Sequence, residues 1–154
     1  MIDELTDQIE ELDAEIEAYA ESLAETQLLM SAPGISHITA LTLHAEIGDV
    51  GRFDGHKEIV SYVGMNPTIR ESGDSRVGGE ILKRGSGRVR WLLVQAAYNA
   101  VDNYEDEYLS QFHDRLAAQK PRKKAIVATA RKLLVSLYYM LNREEVYDPP
   151  GVSS

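Results

Sequence analysis

The sequence has no cysteine among its 154 residues, and no apolar run in it approaches the roughly 20 residues that a membrane-spanning helix needs. Without cysteine there can be no disulfide, thiolate zinc site or cysteine nucleophile, so packing has to stabilise the fold. Nothing at the amino terminus resembles a signal peptide. We therefore expect a cytoplasmic protein with one packed core and no membrane partner.

Basic residues are missing from the first 30 positions, which carry ten acids. The net charge of −9 would by itself argue against a nucleic-acid partner. Because residues 1–30 hold so many of the acids, 15 acids and 16 bases remain over 31–154, and the body of the protein is near neutral. The stretch 115–132 has seven bases and no acid, so it can face phosphates. The acid-rich, cysteine-free composition also fits a protein from a halophile.

Apolar residues in the first 30 positions alternate steps of three and four, the spacing of a coiled-coil seam. The seam consists of Ile2, Leu5, Ile9, Leu12, Ile16, Tyr19, Leu23, Thr26 and Met30. The pattern predicts one helix over 1–30, which either pairs with a second copy to make a homo-oligomer or packs on its own domain. Asp13 and Glu15 would repel their copies in a parallel dimer, an effect that high salt or a basic partner would relieve.

Helical spacing continues along the rest of the chain, so the predicted fold class is mainly α. The predicted elements are a helix-hairpin-helix at about 29–47, a short helix at 56–63, a small β-hairpin from 68–72 and 80–82, and two long amphipathic helices around 89–100 and 126–141. We expect these to form one domain over 31–148, followed by a disordered tail at 149–154.

The turn at Pro33 and Gly34 resembles that of a helix-hairpin-helix, a small motif that holds the DNA backbone. A helix that starts after such a turn presents unpaired N–H groups at the positive end of its dipole, and these can bind a phosphate. Gly34, Ile35 and Ser36 are therefore candidate DNA-binding residues, with Ser36 standing where the motif usually has a second glycine. The alternative is an ordinary helical hairpin.

A second candidate region alternates small residues with bases. Its cations are Arg70, Arg76, Lys83, Arg84, Arg88 and Arg90, and Lys124 and Arg131 flank the last helix. Glycines let a phosphate approach the backbone, and arginine offers paired donors to its oxygens. A serine in this setting can act as a nucleophile at phosphorus. The candidates are Ser72, Ser75 and Ser86, and the alternative is a polar surface hairpin.

An ordered series of short motifs resembles the carboxy-terminal domain of DEDD-type insertion-sequence transposases, the group that includes the Piv-type DNA invertases. The motifs are Ala32-Pro33-Gly34-Ile35, Leu43-His44-Ala45-Glu46-Ile47-Gly48-Asp49, Arg52-Phe53, Tyr62-Val63-Gly64-Met65-Asn66-Pro67, Glu71-Ser72-Gly73 and Lys83-Arg84-Gly85. The similarity covers about residues 28–141, and the series is far more specific than any single motif.

The resemblance implies DNA binding and a role in DNA transposition or site-specific recombination, with Ser72 as the catalytic serine. In such proteins a RuvC-like domain holds Mg²⁺ through four acids, a coiled coil follows, and a guide RNA pairs target and donor DNA. This chain opens in the coiled coil, so we expect no cofactor within it and no activity without a separate RuvC-like domain. The alternative is a non-catalytic nucleic-acid-binding or dimerisation remnant of a transposase.

No metal site is predicted in the chain itself. The acids of residues 1–30 are spread around a solvated helix face. The four histidines, His37, His44, His56 and His113, lack the spacing of zinc ligands, so we expect them at the surface or in the core. Tyr62, Tyr98, Tyr138 and Tyr139 lie at helical positions beside apolar residues and are interpreted as packing residues.

Overall fold

A computed structural model describes residues 2–66, 87–104 and 106–149, and these residues form seven α-helices and one 3-10 turn. The helices are α1 (Ile2–Ser22), α2 (Ala24–Met30), α3 (His37–Ile47), α4 (His56–Val63), α5 (Gly87–Asp102), α6 (Glu107–Ala117) and α7 (Arg122–Arg143), with the 3-10 turn at Val50–Arg52. The prediction of a mainly α fold is confirmed. The proposed β-hairpin at 68–72 and 80–82 and most of the tail lie outside the described residues.

Helix α7 lies at the centre of the fold. Its apolar stripe, from Ile126 through Leu133 and Leu134 to Leu137, is fully buried. The helix packs against α5 and α6 along its length and against α2 and α4 as well. Burial of a side chain of this size stabilises a fold by about 1.5–3 kcal/mol, so this stripe is a main source of stability in a chain without disulfides.

Glycines end two helices where the sequence predicts their ends. Gly48 follows α3 with φ 64°, and Gly64 follows α4 with φ 85°. Both angles lie in the region that side chains other than glycine rarely adopt, so the chain turns out of the helix at these residues. The apolar face predicted for α5, from Val89 to Ala100, is also confirmed as buried.

The first helical segment differs from the prediction of one continuous helix over 1–30, which was wrong at Leu23. This residue is extended, with φ −102° and ψ 132°, and it separates α1 from α2. Thr26 is fully buried after the break, and its hydroxyl donates hydrogen bonds to the carbonyls of Ala20 and Leu23. These bonds tie the first turn of α2 to the end of α1 across the break, and α2 turns into the core, where Thr26 and Leu29 are buried.

The apolar seam of α1 stays exposed in the single chain. Ile2, Leu5, Ile9, Leu12 and Tyr19 are each more than half exposed, and Ala20 is the one buried residue of α1. Helix α1 reaches the body through contacts with α2 and α3. The prediction that residues 1–30 form an oligomerising coiled coil therefore stays a prediction, with a free surface that suits it.

Helix α6 is missing from the sequence-based prediction. Its start carries a good signal, because Asp106 caps the helix by accepting a hydrogen bond from the N–H of Leu109 at 2.8 Å. Leu109 and His113 are buried four residues apart on one face. The helical spacing was not recognised in the sequence, because residues 105–115 are rich in charged side chains and few apolar side chains mark the buried face.

Candidate nucleic-acid interface

The turn between α2 and α3 is packed tightly against α5. Gly34 has φ 80°, and a Cβ placed on it would lie 2.3 Å from the carbonyl oxygen of Ala96. The close approach that this glycine permits is thus to the backbone of α5. Ile35 is buried in the core beside it.

Ser36 caps the start of α3. Its hydroxyl accepts a hydrogen bond from the N–H of Thr39 at 3.3 Å, and its carbonyl accepts one from the N–H of Ala40 at 2.9 Å. Since a serine cap satisfies one of the free N–H groups of a helix start, α3 begins with a well-defined first turn. His37, the first residue of the helix, pairs with Asp13 of α1 at 2.8 Å.

The carboxy-terminal segment covers one side of this turn. The backbone N–H of Tyr147 donates to the Ser31 hydroxyl at 2.9 Å, and the Tyr147 hydroxyl donates to Asp106 at 3.1 Å. Burial, together with the carboxylate of Asp106, raises the pKa of Tyr147 above its usual range. The hydroxyl therefore stays protonated and keeps its bond to Asp106.

An open groove of about 480 Å³ runs between the start of α3 and one face of α5. Its walls are formed by Gly34, Ser36 and Thr39 on one side and by Trp91, Leu92, Gln95, Ala96, Tyr98, Asn99, Asp102 and Asn103 on the other. The α5 side of the groove mixes polar side chains with apolar and aromatic ones. Trp91 is the most exposed of the aromatic residues there, at 60%.

Cations gather at the turn from α6 into α7, and we call this set the basic corner. It consists of Lys120, Arg122, Lys123 and Lys124, all of them exposed. Arg122 lies next to the groove, since its Nη2 contacts both carboxylate oxygens of Asp102 at 2.8 Å and its guanidinium lies over the Tyr98 ring. Within the described residues no acid pairs with the three lysines.

The basic corner lies at the amino-terminal end of α7, where positive charge lowers the stability of a helix. The first turn of α7 has no acidic residue and carries three cations, although the amino-terminal end of a helix dipole is positive. A bound anion would relieve this repulsion. The charge placement is therefore what a phosphate-binding surface needs, and it works against folding.

Arg90 and Arg131, two of the predicted DNA-binding residues, hold backbone carbonyls. Arg90 Nη1 donates to the carbonyl of Val63 at 3.0 Å, and Arg131 Nε donates to that of Met65 at 2.7 Å. Both cations thus lie at the carboxy-terminal end of α4, where the helix dipole is negative. Burial lowers the pKa of Arg131 from its ordinary value. The structure gives these arginines a role in fixing the residues that follow α4.

The other predicted site residues fall into two groups. Arg88 and Lys124 are exposed and accessible to a ligand. The second group lies outside the described residues and consists of Arg70, Ser72, Ser75, Arg76, Lys83, Arg84 and Ser86. The groove residues Trp91, Gln95 and Asn99 were missed by the sequence analysis, although their four-residue spacing opposite the apolar face of α5 is a readable signal.

Two of the histidines and several tyrosines make contacts within the fold. His56 hydrogen-bonds the Tyr139 hydroxyl at 3.1 Å, and His113 is buried. Tyr62 packs on Phe53, and Arg52 lies over both rings. In the part of the chain that the structure describes, no cluster of three or more His, Asp or Glu residues could hold a metal ion. No described helix is long and apolar enough to cross a membrane.

Replacing Arg131 should cost stability, because the bond from its charged Nε to the Met65 carbonyl would be lost. We expect Arg131→Met to lower the free energy of unfolding by about 1–3 kcal/mol in urea denaturation. Arg88→Met, an exposed change on α5, should stay within about 0.5 kcal/mol of the wild type. Equal stability of the two variants would show that the Arg131 bond contributes nothing.

The chain belongs to the Transposase IS116/IS110/IS902 family, whose sequence profile matches residues 26–114. The matched region runs from α2 through α6 and includes the groove residues of both walls. No solved structure matches the chain significantly.

Three relatives, two of them transposases by name, are similar over nearly the whole chain. The transposase for insertion sequence element IS1111A of Coxiella burnetii is 30% identical over 90% of this chain and 39% of its own length. A probable family 20 transposase of Pseudomonas aeruginosa is 28% identical over 97% of this chain and 47% of its own. The insertion element IS110 uncharacterized 43.6 kDa protein of Streptomyces coelicolor is 32% identical over 92% of this chain and 35% of its own length. The chain thus spans less than half the length of these relatives.

Proposed function

We propose that this chain is the carboxy-terminal, serine-bearing part of a DEDD-type insertion-sequence transposase, in the group that includes the Piv-type invertases, and that it binds DNA during transposition or site-specific recombination. The observation that carries the proposal is the family match over 26–114, which contains the Glu71-Ser72-Gly73 motif. The basic corner, whose Arg122 contacts Asp102 in the groove, supports the DNA-binding part.

Phosphate contacts are assigned to two places in this proposal. The basic corner supplies unpaired lysine charges, and the capped start of α3 supplies N–H groups at the positive end of its dipole. Ser36 lines the groove, and Arg122 of the basic corner contacts the groove residue Asp102. Gly34 and Ile35 act indirectly, by fixing the turn from which α3 starts.

Ser72 is the proposed nucleophile. Its hydroxyl oxygen attacks the scissile phosphorus, a phosphoester forms between serine and DNA, and the bond from phosphorus to the leaving deoxyribose oxygen breaks. The serine proton is lost in this step, and the leaving oxygen gains one. Arg70, Arg76, Lys83 and Arg84 are proposed to stabilise the charge on the phosphoryl oxygens.

Three partners are proposed beside DNA. A RuvC-like domain supplies the four acids that bind Mg²⁺, and a guide RNA supplies pairing to target and donor. A second copy of the chain covers the exposed seam of α1, from Ile2 to Tyr19. Because α1 is strongly acidic, salt would favour that pairing by screening the repulsion between the copies.

Ser72→Ala should abolish strand cleavage when the chain is combined with the RuvC-like domain of a full-length relative. We expect a loss of about 1,000-fold or more, since no other group supplies the attacking oxygen. Cleavage of a labelled recombination-site duplex on a denaturing gel measures it, and a gel-shift assay should show unchanged DNA binding.

Ser75→Ala and Ser86→Ala are the matched controls, because each removes a hydroxyl from the same glycine-rich region. Both should cleave at near the wild-type rate. Cleavage at the wild-type rate by Ser72→Ala would reject Ser72 as the nucleophile, and loss of cleavage in one control alone would assign the attack to that serine instead. If none of the three serine variants changes the cleavage rate while the chain still binds DNA, the chain is a binding module of a transposase.

A further inference from the structure

The groove face of α5 presents the exposed ring of Trp91, the half-buried ring of Tyr98 and several side-chain amides. Trp91, Gln95 and Asn99 follow one another at four-residue intervals on α5, and Asn103, the residue after the end of the helix, also lines the groove. On the opposite face, Leu93 and Ala97 are fully buried. Trp91 is 60% exposed. The Asn103 amide donates a hydrogen bond to the side-chain oxygen of Asn99, so the indole of Trp91 and the exposed amide of Gln95 are the groups most available to a ligand.

The facing wall of the groove is small and polar. Ser36 and Thr39 stand there, and their hydroxyls lie 3.2 Å apart at the start of α3. Gly34 brings this wall against the backbone of Ala96, which fixes how far the wall stands from α5. A volume of about 480 Å³ is of the size that takes a small ring system.

The charge around the groove suits a polyanion. Asp102 is the acid among the lining residues, and the bidentate contact with Arg122 offsets its charge. Arg122 itself belongs to the basic corner, whose three lysines are its near neighbours in the sequence and are exposed. At the other end, exposed Arg88 lies one helical turn before Trp91.

We propose that this groove binds unpaired bases of single-stranded DNA, with Trp91 stacked on a base. In this arrangement the side chains of Gln95, Asn99 and Asn103 face the hydrogen-bonding edges of the bases, and the basic corner holds the flanking phosphates. The inference rests on the proposed DNA-binding function and adds the strand state of the DNA and the residues that read it.

A single strand fits this surface better than a duplex. In a duplex the faces of the bases are stacked on each other, so an exposed indole has no ring to stack on. In a single strand every base offers a face, and stacking on aromatic side chains with cations along the backbone is the general way such strands are bound. An apolar protein partner would not use a row of amides bordered by four cations.

Intrinsic fluorescence can test the proposal at this residue alone, because Trp91 is the only tryptophan of the chain. Titration of the full chain with a thymidine oligodeoxynucleotide of about 12 residues should quench the emission as the base stacks on the indole. A duplex of the same length should bind with little quenching. A uridine oligoribonucleotide of that length should bind no more tightly than the deoxy strand.

Fluorescence anisotropy with the labelled deoxy strand measures the affinity of each variant. The comparison distinguishes the loss of base stacking from a general effect on folding. We expect Trp91→Ala to lose about 5- to 150-fold in affinity and Trp91→Phe to recover most of it. Tyr104→Ala removes an aromatic ring that is equally exposed, at 62%, from another groove and should bind like the wild type. Duplex binding should be unchanged in Trp91→Ala.

Each outcome decides the proposal. Quenching by the deoxy strand and the predicted order of the variants would support it. Duplex binding without any effect of Trp91 on the single strand would overturn it and leave the proposed function intact. Tighter binding of the ribo strand would overturn the assignment to DNA. Failure to bind any of the three nucleic acids would overturn both this inference and the DNA-binding function.

Discussion

Gly34→Ala is expected to lower the free energy of unfolding by about 3 kcal/mol. Two costs add at this residue. Its φ of 80° lies in the region that alanine rarely adopts, and a Cβ there would stand 2.3 Å from the carbonyl oxygen of Ala96. The clashing atom belongs to the backbone of α5, so no side-chain rearrangement relieves it, and the turn or the helix must shift.

Gly48→Ala is the matched control, because Gly48 also has a positive φ, of 64°, but no atom within 4 Å of an added Cβ. Alanine there incurs the backbone strain alone, about 1–3 kcal/mol, without a clash. Chemical denaturation of the two variants beside the wild type measures the difference. Equal destabilisation of the two variants would show that the clash between a Cβ at residue 34 and the Ala96 carbonyl adds nothing to the backbone strain.

Charge reversal in the basic corner should separate DNA binding from stability. We expect Lys123→Glu/Lys124→Glu to weaken binding to duplex DNA about 100-fold at roughly 0.1 M salt, since each lost phosphate contact removes the gain from about one released counterion. The slope of log affinity against log salt should become shallower by about 1.8. Fluorescence anisotropy over a range of salt concentrations gives both values.

The same double variant should unfold at a slightly higher denaturant concentration than the wild type. Acids in the first turn of α7 interact favourably with the helix dipole, by about 0.3–1 kcal/mol each, where the lysines are repelled. Lys57→Glu, in the first turn of α4, is the control for Lys124→Glu alone, because both make the same charge change near a helix start. Equal losses of affinity in these two single variants would remove the basic corner from the DNA surface.

Much of the fold could be predicted from the sequence because its signals are local. Gly48 and Gly64 end helices where the apolar spacing stops, and the stripe from Ile126 to Leu137 is buried as its period predicts. The break at Leu23 could not be predicted, because the apolar steps of three and four continue across it. The helix is interrupted by tertiary packing, which buries Thr26 and Leu29 against the body.

The candidate site could be predicted only in part, because its geometry depends on contacts between residues that are distant in the sequence. Sequence identifies cations but not their partners, so it could not separate Arg131, which holds the Met65 carbonyl, from Lys124, which is exposed. Gly34 was assigned to a phosphate because the backbone of Ala96 lies far away in sequence and close in space. The groove needs α3 and α5 side by side, a relation that no local pattern contains.

The most direct test of the central claim is the salt dependence of duplex DNA binding by the unmodified chain. If the three unpaired lysines of the basic corner contact phosphates, the slope of log affinity against log salt should be about −2.7, and binding should not depend on sequence. Binding that is absent at low salt, or that is unchanged as salt rises, would contradict a DNA-contacting role for this transposase chain.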